Sequence, residues 1–129
     1  MVTSRELFDA LCQCVLRHDD DGFASLCTDD VVMELPFSRV RFCGRADVRD
    51  GAALAWRDGR RRLVEFQFVR ISDAGGMLVA EFDVVGYVGD RPFRGGAVLL
   101  LETRGGKIAG LRAYVDPRAG VRSGCLAGS

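Results

Sequence analysis

From Leu63 to Val115 the chain is an almost unbroken series of strand-length segments divided by glycine turns. That series constrains the fold more than any other feature. The segments are Leu63 to Ile71, Met77 to Val88, Arg91 to Glu102 and Lys107 to Val115. Asp73-Ala74-Gly75-Gly76, Gly89-Asp90 and Arg104-Gly105-Gly106 separate them, and short Gly- and Asp-rich links of this kind join antiparallel neighbours. A meander of long strands has two faces, and helices must cover one of them.

The first half of the chain supplies the cover. Thr3-Ser4-Arg5-Glu6 forms a capping box. Leu7, Phe8, Leu11, Cys12, Val15 and Leu16 then recur at helical spacing, which predicts a helix from Ser4 to His18. Asp19-Asp20-Asp21-Gly22 ends it and caps a second, short helix carrying Phe23, Leu26 and Cys27; the acids complement that helix N-terminus. Val31 to Phe37 reads as a strand and Val40 to Cys43 as its short partner. Gly44 leads into a third helix, Arg45 to Arg57, with Val48, Leu54, Ala55 and Trp56 on its apolar side. This order predicts an α+β fold in which a cone-shaped, curved antiparallel sheet wraps a pocket covered by three helices from the N-terminal half. Residues 1–117 form one domain without internal repeat or linker, and the Gly-, Ala- and Ser-rich residues 118–129 read as a flexible C-terminal tail.

Composition excludes several function classes. A formal net charge of zero leaves no electrostatic footprint for nucleic acid or an anionic membrane. No apolar run approaches a bilayer span. The N-terminus lacks the basic-then-apolar layout of a secretory signal, so a cytoplasmic location is expected. Cys12, Cys14, Cys27, Cys43 and Cys125 contain no CxxC pair and read as reduced, buried thiols. Cys43 stands before a helix N-terminus, which can depress a thiol pKa, but burial is the expectation here too. Gly-rich phosphate loops and nucleophile elbows are missing, and neither a metal nor another cofactor is expected.

Several stretches, taken in order, resemble the SnoaL-like branch of the nuclear-transport-factor and ketosteroid-isomerase superfamily. Leu26-Cys27-Thr28-Asp29-Asp30-Val31-Val32-Met33-Glu34-Leu35-Pro36-Phe37 is similar to that family's L-x-x-D-D-V-x-x-E-x-P-F. Phe42-Cys43-Gly44-Arg45-Ala46-Asp47-Val48 is similar to x-x-G-R-x-x-I. Arg91-Pro92-Phe93-Arg94 with Val98-Leu99-Leu100-Leu101-Glu102 looks like R-P-Y-R-N-x-Y-V-L-V-F, and Gly106-Lys107-Ile108 with Leu111-Arg112-Ala113-Tyr114-Val115-Asp116-Pro117 like G-K-I-x-x-L-R-E-Y-x-D-P. The resemblance implies the fold name, an apolar pocket for a small hydrophobic molecule, and a homodimer. It does not fix the reaction.

Departures from the family narrow the reaction. Aligned on Asp29-Asp30 and the Gly89 turn, Leu11, Leu35 and Val98 stand where ketosteroid isomerase carries its tyrosine, general-base aspartate and oxyanion-hole aspartate. All three are apolar, which rules out steroid isomerisation by that triad. The last-strand carboxylate of the limonene-epoxide-hydrolase type falls at Ala113, which cannot ionise. A polyketide cyclase of the SnoaL kind needs chiefly one base able to deprotonate an activated carbon acid.

Strand alternation selects the candidates. With Leu35 and Val98 inward, the pocket is expected to hold Leu11, Met33, Leu35, Phe37, Val85, Val98, Leu111, Ala113 and Val115, with Glu81, Asp83 and Arg94 as its polar set. Pairing across the Gly89-Asp90 hairpin sets Val85 opposite Arg94 and Asp83 diagonal to it, within reach of an arginine. Glu81 and Asp83 are then candidate acid and base, and Arg94 their orienter; the alternative is a structural ion pair at the rim. His18, in the Asp-rich link, reads as solvated, Asp116 as a strand-end cap, and Tyr87 and Tyr114 as pointing away. The Arg57, Arg60, Arg61, Arg62 run could bind an anion or be a solvated loop. The expected function is a cofactor-independent acid–base cyclase or isomerase acting on a polyketide- or terpenoid-like substrate in bacterial secondary metabolism. A non-catalytic binder or accessory protein, and an epoxide-opening hydrolase or cyclase, are the alternatives. The same parity gives the outer sheet face Val32, Phe66, Phe68, Phe82, Val84, Leu99, Leu101 and Tyr114, an apolar surface that a second copy would cover.

Overall fold

The computed structural model describes residues 2–57 and 61–115. Helix α1 (Ser4–Arg17) begins as its capping box requires: the Thr3 side chain accepts from the Glu6 N–H, and the Glu6 carboxylate accepts from the Thr3 N–H. His18 closes α1 in the left-handed region, at φ 54° and ψ 42°. Asp19 caps α2 (Asp20–Ser25) by accepting from the Gly22 N–H. This helix is shorter than its sequence suggests, because Leu26 is its C-cap and Cys27 already opens β1 (Cys27–Leu35). The reason is non-local: Leu26 O accepts the Ile108 N–H at 2.8 Å, and Cys27 is registered beside Ile108.

One 3-10 turn (Pro36–Ser38) joins β1 to β2 (Val40–Cys43), and α3 (Arg45–Trp56) follows. The remaining strands are β3 (Arg61–Asp73), β4 (Met77–Val88), β5 (Arg91–Arg104) and β6 (Lys107–Val115). They form one sheet in the order β2-β1-β6-β5-β4-β3. Every neighbouring pair is antiparallel except β1 and β6, which run parallel, so the sheet is mixed. It curves without closing, and the helices pack on one face, giving the expected cone-like α+β fold.

Burial alternates along β4 and β5. Leu78, Ala80, Phe82 and Val84 are buried on one strand, and Phe93, Ala97, Leu99 and Leu101 on the next. Phe8 of α1, fully buried, meets the rings of Phe68 and Phe82 with centroids 5.6 and 6.1 Å away. This parity reverses the expected one for the middle of the sheet. Aligning Val98 with the isomerase aspartate turns it inward, but in the sheet Leu99 stands opposite Ala113, and Val98 opposite Tyr114. A one-residue offset turns a whole strand over, and the hairpin passes the reversal to β4.

Glu81, Asp83, Val85, Arg94 and Val98 therefore lie on the outer face, while Phe66, Phe68, Phe82, Val84, Leu99 and Leu101 face inward. Val32 and Tyr114 are on the outer face, as expected. That face is not the apolar surface expected for dimerisation. Charged groups alternate there with exposed Val79 and Val98.

Candidate functional site

A cavity of about 310 Å³ lies between the inner sheet face and the helices, within the range of small-molecule sites. Buried Phe8, Leu11, Cys12, Phe82, Leu99 and Leu111 form its deep end. Exposed Phe37 and Ser38 of the 3-10 turn, Ala55 at the end of α3 and Arg61 at the start of β3 mark its mouth, beside half-buried Trp56. The expected lining residues Leu11, Met33, Leu35, Phe37, Leu111, Ala113 and Val115 border this cavity. Val85 and Val98 do not, for the parity reason above.

Glu81, Asp83 and Arg94 are near one another, but not here. Arg94 Nη1 donates to Asp83 Oδ2 at 2.8 Å and to Gln67 Oε1 at 2.7 Å, with Val85 opposite Arg94 in the ladder. The Arg94 and Asp83 side chains are 54% and 36% exposed, and a pair that wet contributes about 0–1 kcal/mol. Glu81 and Asp83 border a shallow groove beside Val98 and Tyr114. Chemistry by these acids would take place on the outer face, away from the cavity. Asp116 lies outside the described residues.

The ionisable groups at the cavity come from elsewhere. His18 forms part of its wall, its ring stacked on Trp56 with centroids 5.3 Å apart and planes 5° apart. The position it occupies, just past a helix end at positive φ, usually carries glycine or asparagine. For a residue with a Cβ that conformation costs roughly 1 kcal/mol. A histidine directly between a helical run and the Asp19 cap was the available sequence signal.

Arg61 is the second such group. Its guanidinium carbon lies 5.4 Å from the centre of the Phe93 ring. Much of the side chain stays open to solvent, yet burial by the surrounding walls lowers its pKa below the ordinary arginine value. The neighbouring Arg62 turns instead to Tyr87, at 5.2 Å. The arginine run is thus divided: Arg61 joins the cavity wall, Arg57 caps α3, and Arg60 lies outside the described residues.

Cys12, Cys14 and Cys27 are unsuited to nucleophilic work. Burial, helped by Asp9, pushes Cys12 up to about 12; burial pushes Cys27 up to about 11 and also raises Cys14. Thiolate chemistry needs the opposite shift. Cys43 is exposed, against expectation, because burial alternates along β2 and Cys43 falls on its exposed side. Among the described residues no three His, Cys, Asp or Glu side chains converge to hold a metal ion. No helix among them is long and apolar enough to cross a membrane. The cavity therefore offers an imidazole, a guanidinium and the Ser38 hydroxyl, with no carboxylate among its described lining residues. An imidazole can move a proton and a guanidinium can hold developing negative charge.

A family model described as the SnoaL-like domain matches residues 6–111. Comparison with curated proteins gives no match. Among solved structures, a protein with a ketosteroid isomerase-like fold from Catenulispora acidiphila, in complex with trimethylamine, has 18% identity and a TM-score of 0.79, covering 94% of this chain and 93% of its own. An LEH-like epoxide hydrolase from M. tuberculosis has 19% identity and a TM-score of 0.73, with 95% and 94% covered. A protein from Sinorhizobium meliloti, provisionally named a polyketide cyclase, has 16% identity and a TM-score of 0.67, with 84% and 94% covered. At these identities the likeness is one of fold.

Proposed function

Because the chain belongs to the SnoaL-like domain family, we propose that it is a cofactor-independent acid–base enzyme of bacterial secondary metabolism. It cyclises or isomerises a small hydrophobic, polyketide- or terpenoid-like molecule in this cavity, in the cytoplasm. The observation that carries the reading is His18, an imidazole held in an unfavourable backbone conformation against Trp56 in the wall of an apolar chamber. Imidazole is the side chain suited to taking and returning protons near neutrality. It removes a proton from the carbon beside a substrate carbonyl. Returning that proton to another carbon completes an isomerisation; attack of the resulting carbanion on a second carbonyl closes a ring, and the proton goes to the new alkoxide.

The test uses 2-tetralone, a small bicyclic ketone with an acidic carbon, in deuterated water. The protein should accelerate deuterium uptake at that carbon. His18→Asn, which accepts the same backbone conformation, should lose about 10²–10⁴-fold of the acceleration while keeping its melting temperature. An undiminished rate in the variant would remove His18 from the mechanism.

A non-catalytic binder is the second reading, favoured by the absence of any carboxylate among the described lining residues. It predicts tetralone binding without exchange. The proposal also takes the protein as a homodimer joined through the outer sheet face, supported by exposed Val79 and Val98 beside Glu81 and Arg94, a mix a self-complementary contact can use. Sedimentation at tens of micromolar, about where a stable interface holds, should give the mass of two chains; a single-chain mass overturns it.

A further inference from the structure

Among the described residues some arginines rest against a carboxylate and others, Arg61 with them, do not; of the latter, Arg61 is the one that lines the cavity. Arg5, Arg45, Arg49, Arg94, Arg104 and Arg112 each rest against a carboxylate, respectively Asp9, Asp29, Asp21 with Asp50, Asp83, Asp30 and Glu34. Arg61 has no acid partner among the described residues and lines the cavity mouth instead, over the Phe93 ring. A cavity-wall cation that no described acid neutralises is suited to an anion, and planar guanidinium matches carboxylate geometry with paired hydrogen bonds.

We propose that Arg61 selects the ligand's charge: the cavity takes an amphiphile whose rigid apolar body lies against Phe8, Phe82 and Leu99 and whose carboxylate head stays at the mouth on Arg61. The observation behind this is the polarity of the chamber, apolar and closed at its deep end and cationic at its mouth. The inference rests on the reading of this cavity as the ligand site and adds the chemical class of its occupant. An anionic head at the mouth fixes which end of the molecule enters first, and so which carbon is presented along the wall that holds His18. Arg61 is a specificity residue, not a proton-transfer group.

The experiment is calorimetric titration with 2-naphthoate and with 2-naphthamide, which share shape and size and differ in charge. The wild type should bind both. Arg61→Met, which keeps the apolar stem, should weaken naphthoate by about tenfold, the loss of one charge-assisted interaction, and leave naphthamide unchanged. Arg61→Lys should recover part of the loss, and added salt should weaken naphthoate alone. An unchanged naphthoate affinity in Arg61→Met overturns the charge selection while leaving the ligand site intact, since naphthamide still binds. Equal weakening of both ligands also overturns it, reducing Arg61 to a shape element. Binding of neither ligand by the wild type removes the ligand site itself, and the selection with it.

Discussion

Cys12 and Cys27 tie stability to pH. Their thiols start from an ordinary value of 9.0 and are raised by burial to about 12 and about 11 in the folded chain. Above pH 9 the unfolded chain gives up protons that the folded chain retains, so unfolding gains. The stability is intact below the unfolded value and falls as pH rises from there toward the folded ones, by roughly 1.4 kcal/mol per pH unit for each thiol. Denaturant midpoints should drop steeply between pH 9 and 11, and Cys12→Ala should flatten the slope; an unaltered slope would mean other groups cause the drop. Side-chain direction was the least legible property at this scale. Leu78-Val79-Ala80-Glu81-Phe82-Asp83-Val84 alternates with its acids on one side and its large apolar groups on the other, and that local pattern alone turns Glu81 and Asp83 outward. An inward Val98 would turn both β5 and β4 over, against that local pattern. Asp83→Asn should change stability by less than about 1 kcal/mol, as for other wet ion pairs, and leave naphthamide binding as it was.

Elements whose signals are local were readable. The α1 cap needs only Thr3 and Glu6, and the turns between the last four strands need only their glycines. The α2–β1 boundary was not, because Cys27 is drawn into the sheet by Ile108, far along the chain. Of the site, the walls supplied by β1 and β6 are legible in the sequence, and so is the apolar side of α3 that carries Trp56, whereas Arg61 reaches the cavity through the start of β3, a position that no periodicity marks. Gly86 conditions the last of these. A Cβ there would lie 2.2 Å from the Arg62 carbonyl oxygen and 3.0 Å from Leu63 Cα, so only glycine lets the first residues of β3 close onto β4. Gly86→Ala should cost about 1–3 kcal/mol, as overpacking does, and should weaken naphthoate binding by displacing Arg61. A variant as stable as the parent would show that β3 yields there at no cost.

For the molecule as a whole, the layer order followed from the sequence of helices and strands, while the mixed character of the sheet did not. Parallel contact between β1 and β6 joins segments far apart in the chain, and nothing near either one announces it. The pairing has a consequence in time. Met33 is registered beside Leu111, so the cavity wall they share cannot exist until β6 has left the ribosome. Until then β1 and β2 form a detached hairpin and β5 presents an unpaired edge, both open to wrong partners. With so much sequence separating its central neighbours, the sheet assembles late and slowly. β6, the last strand among the described residues, thus joins two half-sheets, and the binding chamber comes into being in that same step.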